Sequence, residues 1–545
     1  IHERISRIYR PIITPLVVNR KLGLLFLFGI IGITALLCIT FYTQTVPVKM
    51  LPFDNKPEFT VIVNMPEGTA MPDTANVTLA LAEAVREIPE VTAVTTYAGT
   101  AQPFNFNGMV RHYYLRQRPW EGDLLVMLTD KDERERGSHE IAVVARHILK
   151  PIADSMGARI AVVEMPPGPP VLQTIVAEVY GPDPETRRQV AGDLMGMFEQ
   201  VENVVDVDTY MAEPYEFWRF EVDTEKAVRR GISVDTVNGS LAMAMGSFKL
   251  GDVKRGTVLE PTYIVMQIPL AVRSQISRLG DLPIPTADGR TIPLSELGEF
   301  RKGNVEPVIY TKDLRDIEYV IGEMEGRLGA PIYGMLHIED LVEKYTTPDG
   351  VEMETMPKTI LGMPGDWTFI GTRADANVSG YEWTGEWTVT YETFRDMGGA
   401  FMAALVLIYG LIVWEFKNFA LAGLIMSPIP VTMMGIIPGH WIMGAEFTAT
   451  SMIGMIALGG IIVRQSILIV EFVKLEVAKG NEVAEAALRG AELRMRPIFI
   501  TSLTLMAGAF AIIHDPIFNG MAISLMFGTG VATVMALLII PLGCI

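Results

Sequence analysis

Apolar residues are concentrated in six segments of the chain, and polar residues dominate the long region between the first two. Each segment approaches the roughly 20 residues that a helix needs to cross a hydrocarbon core about 30 Å thick. The pattern therefore predicts six membrane-spanning helices, at approximately 22–43, 398–415, 419–439, 447–472, 497–514 and 519–541.

Lysine and arginine residues flank these segments on one side only. Basic residues precede the first span and occupy the 415–418 turn and the 473–496 loop, whereas the short loops 440–446 and 515–518 contain none. The positive-inside rule then places residues 44–397 outside the cytoplasm. The first span lacks a small-residue cleavage site, so it is predicted to remain as an anchor.

The external region repeats a strand–helix–strand order three times, which predicts ferredoxin-like βαβ subdomains. The three predicted units are FTVIV, helix 72–88 and VTAVTTY; DLLVMLTD, helix 138–156 and RIAVVEM; and TIVAEVYG, helix 184–200 and VVDVDTY. Together with the spans, they give an α+β membrane protein.

The pattern changes after residue 225. The segment 282–294 is a predicted hairpin that turns at Asp288-Gly289, and it is either a docking element or a plain β-turn. The stretch 326–380 is rich in Gly, Pro, Met and Thr without a clear period, which predicts a surface insertion.

Composition excludes several classes of protein. With 545 residues, 49% hydrophobic residues and only 20% charged residues, a wholly soluble protein is not expected. The net charge of −18 argues against a nucleic-acid partner. Cys38 and Cys544 both lie in apolar stretches, which excludes a disulfide framework. The sequence contains no HExxH motif, nucleophile motif or Walker-type motif, so neither an enzyme nor ATP-driven transport is indicated.

One charged residue interrupts an apolar span. Arg464 lies inside FTATSMIGMIALGGIIVRQSILIVEF, where an arginine near the centre costs about 2.5–3.5 kcal/mol on insertion scales. It is predicted to face protein and pair with a carboxylate from another segment, because no acid lies deep in the six spans. Because a guanidinium stays protonated, the partner acid would be the group that titrates. The alternative is that Arg464 extends to the cytoplasmic face, helped by Glu471.

Further polar residues follow in the next span. Arg494 and Arg496 precede Thr501 and Ser502, which either bridge helices or bond only to their own backbone.

With these residues in view, the chain resembles the C-terminal half of a resistance-nodulation-division (RND) efflux permease, and the hydrophobe/amphiphile branch fits best. The resemblance covers nearly all of the chain. It rests on RQSILIVEF (464–472), LRMRPIFITS (493–502), YEWTGEWTVTYETF (381–394) and LPFDNKPEFTVIVNMPEGT (51–69).

The resemblance implies a domain layout and a mechanism. It gives 1–43 as lead-in and first span, 44–224 as porter subdomains, 225–325 as docking subdomain, 326–397 as remaining porter segment with the insertion, and 398–545 as five spans. It implies a proton-driven antiporter in a bacterial inner membrane, with its large domain in the periplasm. Arg464, Arg494 and Thr501 would couple proton movement to export, although the family usually has lysine at position 464. No cofactor or metal is implied, the proton being the coupling ion.

The resemblance also implies partners. These are the missing N-terminal half of the permease, two further copies in a homotrimer, a periplasmic adaptor and an outer-membrane channel. The segment 97–114 matches a loop that lines the drug pocket. Phe104, Phe106, Tyr113 and Tyr114 would then contact amphiphilic substrates or merely cover the core.

Two alternatives remain at this stage. The first alternative is export of soft metals (Cu/Ag), which the 31 methionines suggest because thioethers bind such metals. Paired methionines such as Met452 and Met455 also serve helix packing. The second alternative is a membrane-anchored binding or signalling protein whose external domain captures a ligand without transport.

Overall fold

The computed structural model describes residues 2–165, 168, 171–356 and 377–545, with the side chains of residues 2–8 excepted. Two compact units are present, Ile1–Met211 with Ile309–Ile545, and Ala212–Val308. The helices are α1 (His2–Val18), α2 (Arg20–Tyr42), α3 (Met71–Val85), α4 (Phe106–Arg111), α5 (Ser138–Ser155), α6 (Pro184–Phe198), α7 (Thr224–Arg229), α8 (Val234–Gly246), α9 (Leu270–Arg273), α10 (Ile276–Leu279), α11 (Pro331–Val342), α12 (Glu386–Phe416), α13 (Phe419–Met426), α14 (Pro428–Val431), α15 (Met433–Met443), α16 (Ala449–Ala478), α17 (Val483–Phe510) and α18 (Asn519–Gly543).

Within the described residues the strands are short and belong to five sheets. They are β1 (Glu58–Asn64), β2 (Val91–Ala98), β3 (Glu121–Leu128), β4 (Arg159–Val163), β5 (Ile175–Tyr180), β6 (Val204–Thr209), β7 (Glu216–Val222), β8 (Phe248–Val253), β9 (Thr262–Met266), β10 (Pro283–Pro285), β11 (Thr291–Pro293), β12 (Gly298–Asn304), β13 (Tyr310–Lys312), β14 (Arg315–Met324) and β15 (Gly380–Gly385).

The first two predicted repeats form one antiparallel sheet with the strand order β2-β3-β1-β4. Phe59, Val61 and Val63 alternate along β1 and share a core with α3 and α5. Leu81 and Ile141 of those helices are fully buried against it. This βαββαβ arrangement is ferredoxin-like, and its strands and helices lie where the alternation predicts them.

The third predicted repeat contributes to a second sheet with the same pairing order, β6-β14-β5-β15. Its core includes Ala177 and Val179 of β5, Phe198 of α6 and Trp383 of β15. The fourth strand–helix–strand unit is β14-α11-β15, and its helix α11 falls inside the stretch 326–380 predicted to be an insertion. That prediction is wrong for residues 331–342, which form a helix whose first five residues are all buried. Residues 357–376 of the same stretch lie outside the described residues.

The second compact unit, Ala212–Val308, has its own small core. Strand β12 pairs with β7, and Ile284 and Leu294 of the 282–294 hairpin are fully buried in that core. The hairpin turns at Gly289, with φ +82°, and packs as an ordinary β-turn. The unit does not include β14, which belongs to the second ferredoxin-like sheet, so its bounds differ from the predicted 225–325. A docking role for this region stays a prediction.

Five helical segments of the described chain are long and apolar enough to cross a membrane. They are Arg20–Tyr42, Glu386–Phe416, Phe419–Met443, Ala449–Ala478 and Asn519–Gly543. The segment predicted as a further span, 497–514, overlaps α17, whose first half carries arginines and acids. A sixth span therefore stays a prediction.

Candidate functional site

Arg464 lies midway along α16 and is exposed on the surface of the described bundle. It borders two cavities. One is lined by apolar residues that include Ile408 and Ile467, and the other contains Gln465 and Thr501. Among the described residues Arg464 forms no ion pair with any acid, and this includes Glu471. A guanidinium at mid-helix without a partner marks a surface where another polypeptide segment is expected to supply one.

Thr501 is brought next to Arg464 by the packing of α17 against α16, and both line the same cavity. The Thr501 hydroxyl donates to the Ile498 carbonyl at 2.9 Å, so its proton is used within its own helix. Its oxygen can still accept a hydrogen bond. Of the two alternatives drawn from the sequence, Thr501 thus shows the bond to its own backbone, and in addition it lines the cavity beside Arg464.

Polar contacts continue inward from this cavity. The Gln465 amide donates to the Ser502 hydroxyl at 3.2 Å, and Ser502 bonds Thr533 of α18 at 2.7 Å. All three side chains are buried. Polar side chains therefore join α16, α17 and α18 in the interior of the bundle.

Arg494 lies apart from this cavity. It precedes Thr501 by seven positions, which is about 10 Å along a helix. Its Cζ atom lies 5.3 Å from the centre of the Phe472 ring, and its Nε atom is buried with no hydrogen-bond acceptor in the described part of the chain. The structure therefore brings together two of the three predicted coupling residues, Arg464 and Thr501.

The predicted pocket loop divides into exposed and buried aromatic residues. Phe104 and Tyr114 are exposed, with ring centres 5.9 Å apart, and Phe106 begins α4 half-buried. Tyr113 is 8% exposed and packs against Ile62 of β1. Burial raises the pKa of its phenol, although nearby Arg111 opposes the shift. Phe104 and Tyr114 are thus accessible on the surface, whereas Tyr113 is part of the core, and contact of these residues with a substrate stays a prediction.

Sequence reasoning missed a set of ion pairs between the two ferredoxin-like sheets. Arg111 pairs with Glu323 at 2.5 Å, Arg146 with Asp206 at 2.9 Å, and Arg159 with Asp208 at 2.9 Å. In each pair the arginine comes from the first sheet's subdomain and the acid from the second. Asp206 of β6 has the left-handed backbone conformation, with φ +52°. The register between β6 and β14 shifts at this point, as in a β-bulge.

Comparison with known proteins identifies the group to which this fold belongs. The profile of the AcrB/AcrD/AcrF family matches residues 1–356 and 376–543, more than half of the chain. The chain belongs to the AcrB/AcrD/AcrF family. Members of this RND family are multi-pass membrane proteins and secondary active transporters, not enzymes.

The relatives include proteins named for different substrates. The Escherichia coli multidrug export protein AcrF is 22% identical over 517 residues, which is 91% of this chain and 45% of that protein. The Cupriavidus metallidurans cobalt-zinc-cadmium resistance protein CzcA is 23% identical over 347 residues, 62% of this chain and 29% of its own length. The Bacillus subtilis swarming motility protein SwrC is 21% identical over 371 residues, 67% of this chain and 32% of its own.

A solved structure of a heavy metal efflux pump shares the fold. It superimposes with a TM-score of 0.73 at 19% identity, covering 98% of this chain and 51% of that chain. The chain thus spans about half of the pump's length, and its matches cover 29% to 45% of the length of SwrC, CzcA and AcrF.

Proposed function

We propose that this chain is the C-terminal half of a proton-driven RND efflux permease. The observation that carries the proposal is the position of Arg464, a permanent cation at mid-helix, exposed and without an ion pair among the described residues. In this mechanism an N-terminal half covers that surface and presents a carboxylate to the guanidinium. Protonation of the carboxylate breaks the pair and lets α16 move, and deprotonation restores it.

The energy available is sufficient for export. One proton moving down about 100 mV supplies roughly 2.3 kcal/mol, which supports a concentration ratio of about fiftyfold. Thr501, beside Arg464, offers an oxygen that can accept from the guanidinium after the carboxylate is protonated. Arg494 would contribute positive charge near the cytoplasmic end of the path.

The cargo we propose is amphiphilic or hydrophobic compounds taken from the periplasm or inner membrane. The exposed pair Phe104 and Tyr114 supports this, because aromatic surfaces accept varied apolar ligands. The proposed assembly is a homotrimer in a bacterial inner membrane, joined to a periplasmic adaptor and an outer-membrane channel. The ferredoxin-like sheets would be its porter subdomains. Metal export is the second candidate, favoured by the similarity to CzcA and to the heavy metal efflux pump.

The test is an export assay on the whole protein in cells that lack their own efflux pumps. We expect export of a fluorescent amphiphile that a protonophore abolishes. Arg464→Gln should abolish export without lowering the amount of protein in the membrane. Lys474→Gln is the matched control, since Lys474 is a cation on the same helix whose Nζ atom lies over the Phe416 ring.

The outcomes separate the candidates. Export that survives Arg464→Gln or the protonophore would contradict the proton-coupled mechanism and favour a binding or signalling role. Tolerance to cobalt, zinc or cadmium, without amphiphile export, would favour the metal exporter.

A further inference from the structure

An apolar groove, which we call the α1–α17–α18 groove, opens on the side of the helical bundle between these three helices. It encloses about 320 Å³, and every side chain that lines it is apolar or aromatic. The residues that shape it include Tyr9 and Ile12 of α1, Met495 and Phe499 of α17, and Val534 and Leu538 of α18. Ile12, Phe499 and Val534 remain exposed on its walls. A concave apolar surface that stays open is a ligand site or an interface.

The groove lies at the depth of lipid chains. Helix α18 is one of the helical segments long and apolar enough to cross a membrane. Val534 precedes Gly543, the last residue of that helix, by nine positions, which is about 14 Å along the axis and within one hydrocarbon leaflet of about 15 Å. The basic residues of the 473–496 loop place this end of α18 on the predicted cytoplasmic side. Hydrocarbon chains therefore meet the groove unless protein covers it.

Two contacts fix α1 against the other two helices. Pro541 has no amide hydrogen, so the Leu537 carbonyl loses its partner within α18, and the Tyr9 hydroxyl donates to that carbonyl at 2.7 Å. Arg10 Nε donates to the Glu492 carboxylate of α17 at 2.8 Å. Because α1 is bound to both helices, the groove is already formed before a ligand enters.

The surface proposed to receive the N-terminal half lies on the other side of α17. Thr501 lines the cavity beside Arg464, and Phe499 lines the groove. Two positions along a helix correspond to about 200° of rotation, so these two side chains leave α17 about 160° apart. A segment that covers Arg464 and Thr501 therefore leaves the groove uncovered.

An arginine lies at the predicted cytoplasmic end of the groove. Arg496 is exposed and precedes Phe499 by three positions, so the two lie on the same face of α17. Arg496 forms no ion pair with an acid of the described residues, and the neighbouring acids Glu485 and Glu492 are bound by Arg10. A guanidinium forms paired hydrogen bonds with phosphate oxygens, and basic residues at the cytoplasmic surface of a membrane bind lipid headgroups. An apolar groove below such a cation fits a phospholipid.

We propose that the α1–α17–α18 groove binds a phospholipid of the cytoplasmic leaflet, with one acyl chain along Phe499 and Val534 and the phosphate bound by Arg496. The choice of leaflet rests on the membrane orientation in the proposed function, whereas the binding of chain and phosphate does not. Lipid tails are as apolar as the groove, so dispersion contacts with its walls and the bond to phosphate hold the lipid, rather than the hydrophobic effect.

Native mass spectrometry of the whole protein tests this site, after purification in detergent and incubation with a mixture of phosphatidylethanolamine and phosphatidylglycerol. We expect wild type to retain phospholipid. Val534→Phe, whose ring fills the groove, should lower retention severalfold, whereas Val406→Phe, at an exposed position of α12 outside the groove, should leave it unchanged. Arg496→Gln should weaken binding about tenfold, the loss expected for a charge-assisted hydrogen bond. Lys417→Gln is its control, since Lys417 is an exposed cation outside the groove.

The same spectra separate the outcomes. Wild type without retained phospholipid, or equal retention by wild type, Val534→Phe and Arg496→Gln, would overturn the proposal. Unchanged lipid with fewer copies per assembly in Val534→Phe would show that a second copy covers the groove, and would also overturn it. If Val534→Phe melts well below wild type, Arg496→Gln decides, because it changes only an exposed side chain. Retention is measured without transport, so export that is insensitive to a protonophore would refute the proposed function and leave this test intact.

Discussion

Arg146 binds Asp206 across the boundary between the two ferredoxin-like sheets. Its Nε and Nη2 atoms donate to the carboxylate at 2.9 to 3.1 Å, and Nη1 reaches Glu325 at 3.0 Å. Asp206 also accepts from the Val162 amide at 2.9 Å. Both partners of the central pair are buried, so each depends on the other for its hydrogen bonds.

Removing the cation should therefore destabilise the region formed by the two ferredoxin-like sheets. We expect Arg146→Ala to lower its free energy of unfolding by about 3–5 kcal/mol, since two acids lose their buried partner. Lys150→Ala is the control on the same helix, because Lys150 and Asp154 form an exposed pair worth under about 1 kcal/mol. Thermal unfolding of the purified variants measures both changes. Equal melting temperatures of Arg146→Ala and Lys150→Ala would show that the buried pair contributes no more to stability than the exposed pair.

A second prediction concerns two glycines of α18. Gly528→Ala should destabilise the bundle by about 1–3 kcal/mol, since the new methyl group meets Leu458. At Gly530 the nearest atom to a new Cβ is Met506 Cε at 3.8 Å, so Gly530→Ala should be neutral or slightly stabilising. The melting temperatures of the two variants in detergent test this prediction. Similar decreases for both variants would contradict the close contact between Gly528 and Leu458.

A third prediction concerns the buried carboxylate of Glu339. It accepts from Tyr381 Oη at 2.7 Å, Trp383 Nε1 at 2.5 Å and the Met356 amide at 2.9 Å. Glu339→Gln places an NH2 donor among these donors, so we expect a loss of about 1–3 kcal/mol. The fluorescence of Trp383 should shift as its hydrogen bond changes. An unchanged spectrum and stability would mean that the amide is accommodated equally well.

A fourth prediction is a dependence of stability on pH. Arg136 hydrogen-bonds both oxygens of Glu90, which lowers the pKa of that carboxyl below its usual value. Because the folded pKa is the lower one, this contribution is present above the ordinary glutamate range and is lost as pH falls through the folded value. Wild type should be more stable than Glu90→Gln at pH 7, and the difference should shrink below about pH 4.5. A constant difference from pH 7 to pH 3 would contradict this.

Local periodicity explains why the first ferredoxin-like sheet could be predicted. Its strands are short apolar runs bounded by polar residues, such as Phe59–Val63 within β1, and α5 has one buried face, so each element carries its own signal. Helix α11 carries no such signal, because residues 331–335 are buried on every side. Its strand β15 also lies nearly 40 residues further on, beyond any local pattern.

In the candidate site, too, some features have a local signal in the sequence and others do not. Arg464 could be recognised because a charge in an apolar segment is anomalous wherever the partner lies. The pairs between the sheets could not, since Arg111 and Glu323 are 212 positions apart and each lies in an ordinary polar stretch. The polar contacts that join α16, α17 and α18 through Ser502 depend on the packing of three helices, which no local pattern predicts.

The left-handed backbone at Asp206 limits which residues position 206 can hold. Glycine fits that conformation without a side chain, and asparagine fits it while keeping a hydrogen-bonding oxygen but no charge. Glutamate keeps the charge on a backbone that resists φ +52°. Position 206 therefore has two separate requirements, a residue that tolerates a left-handed backbone and a negative charge for Arg146. Ranking all twenty residues at this position by stability would show whether backbone conformation or charge matters more.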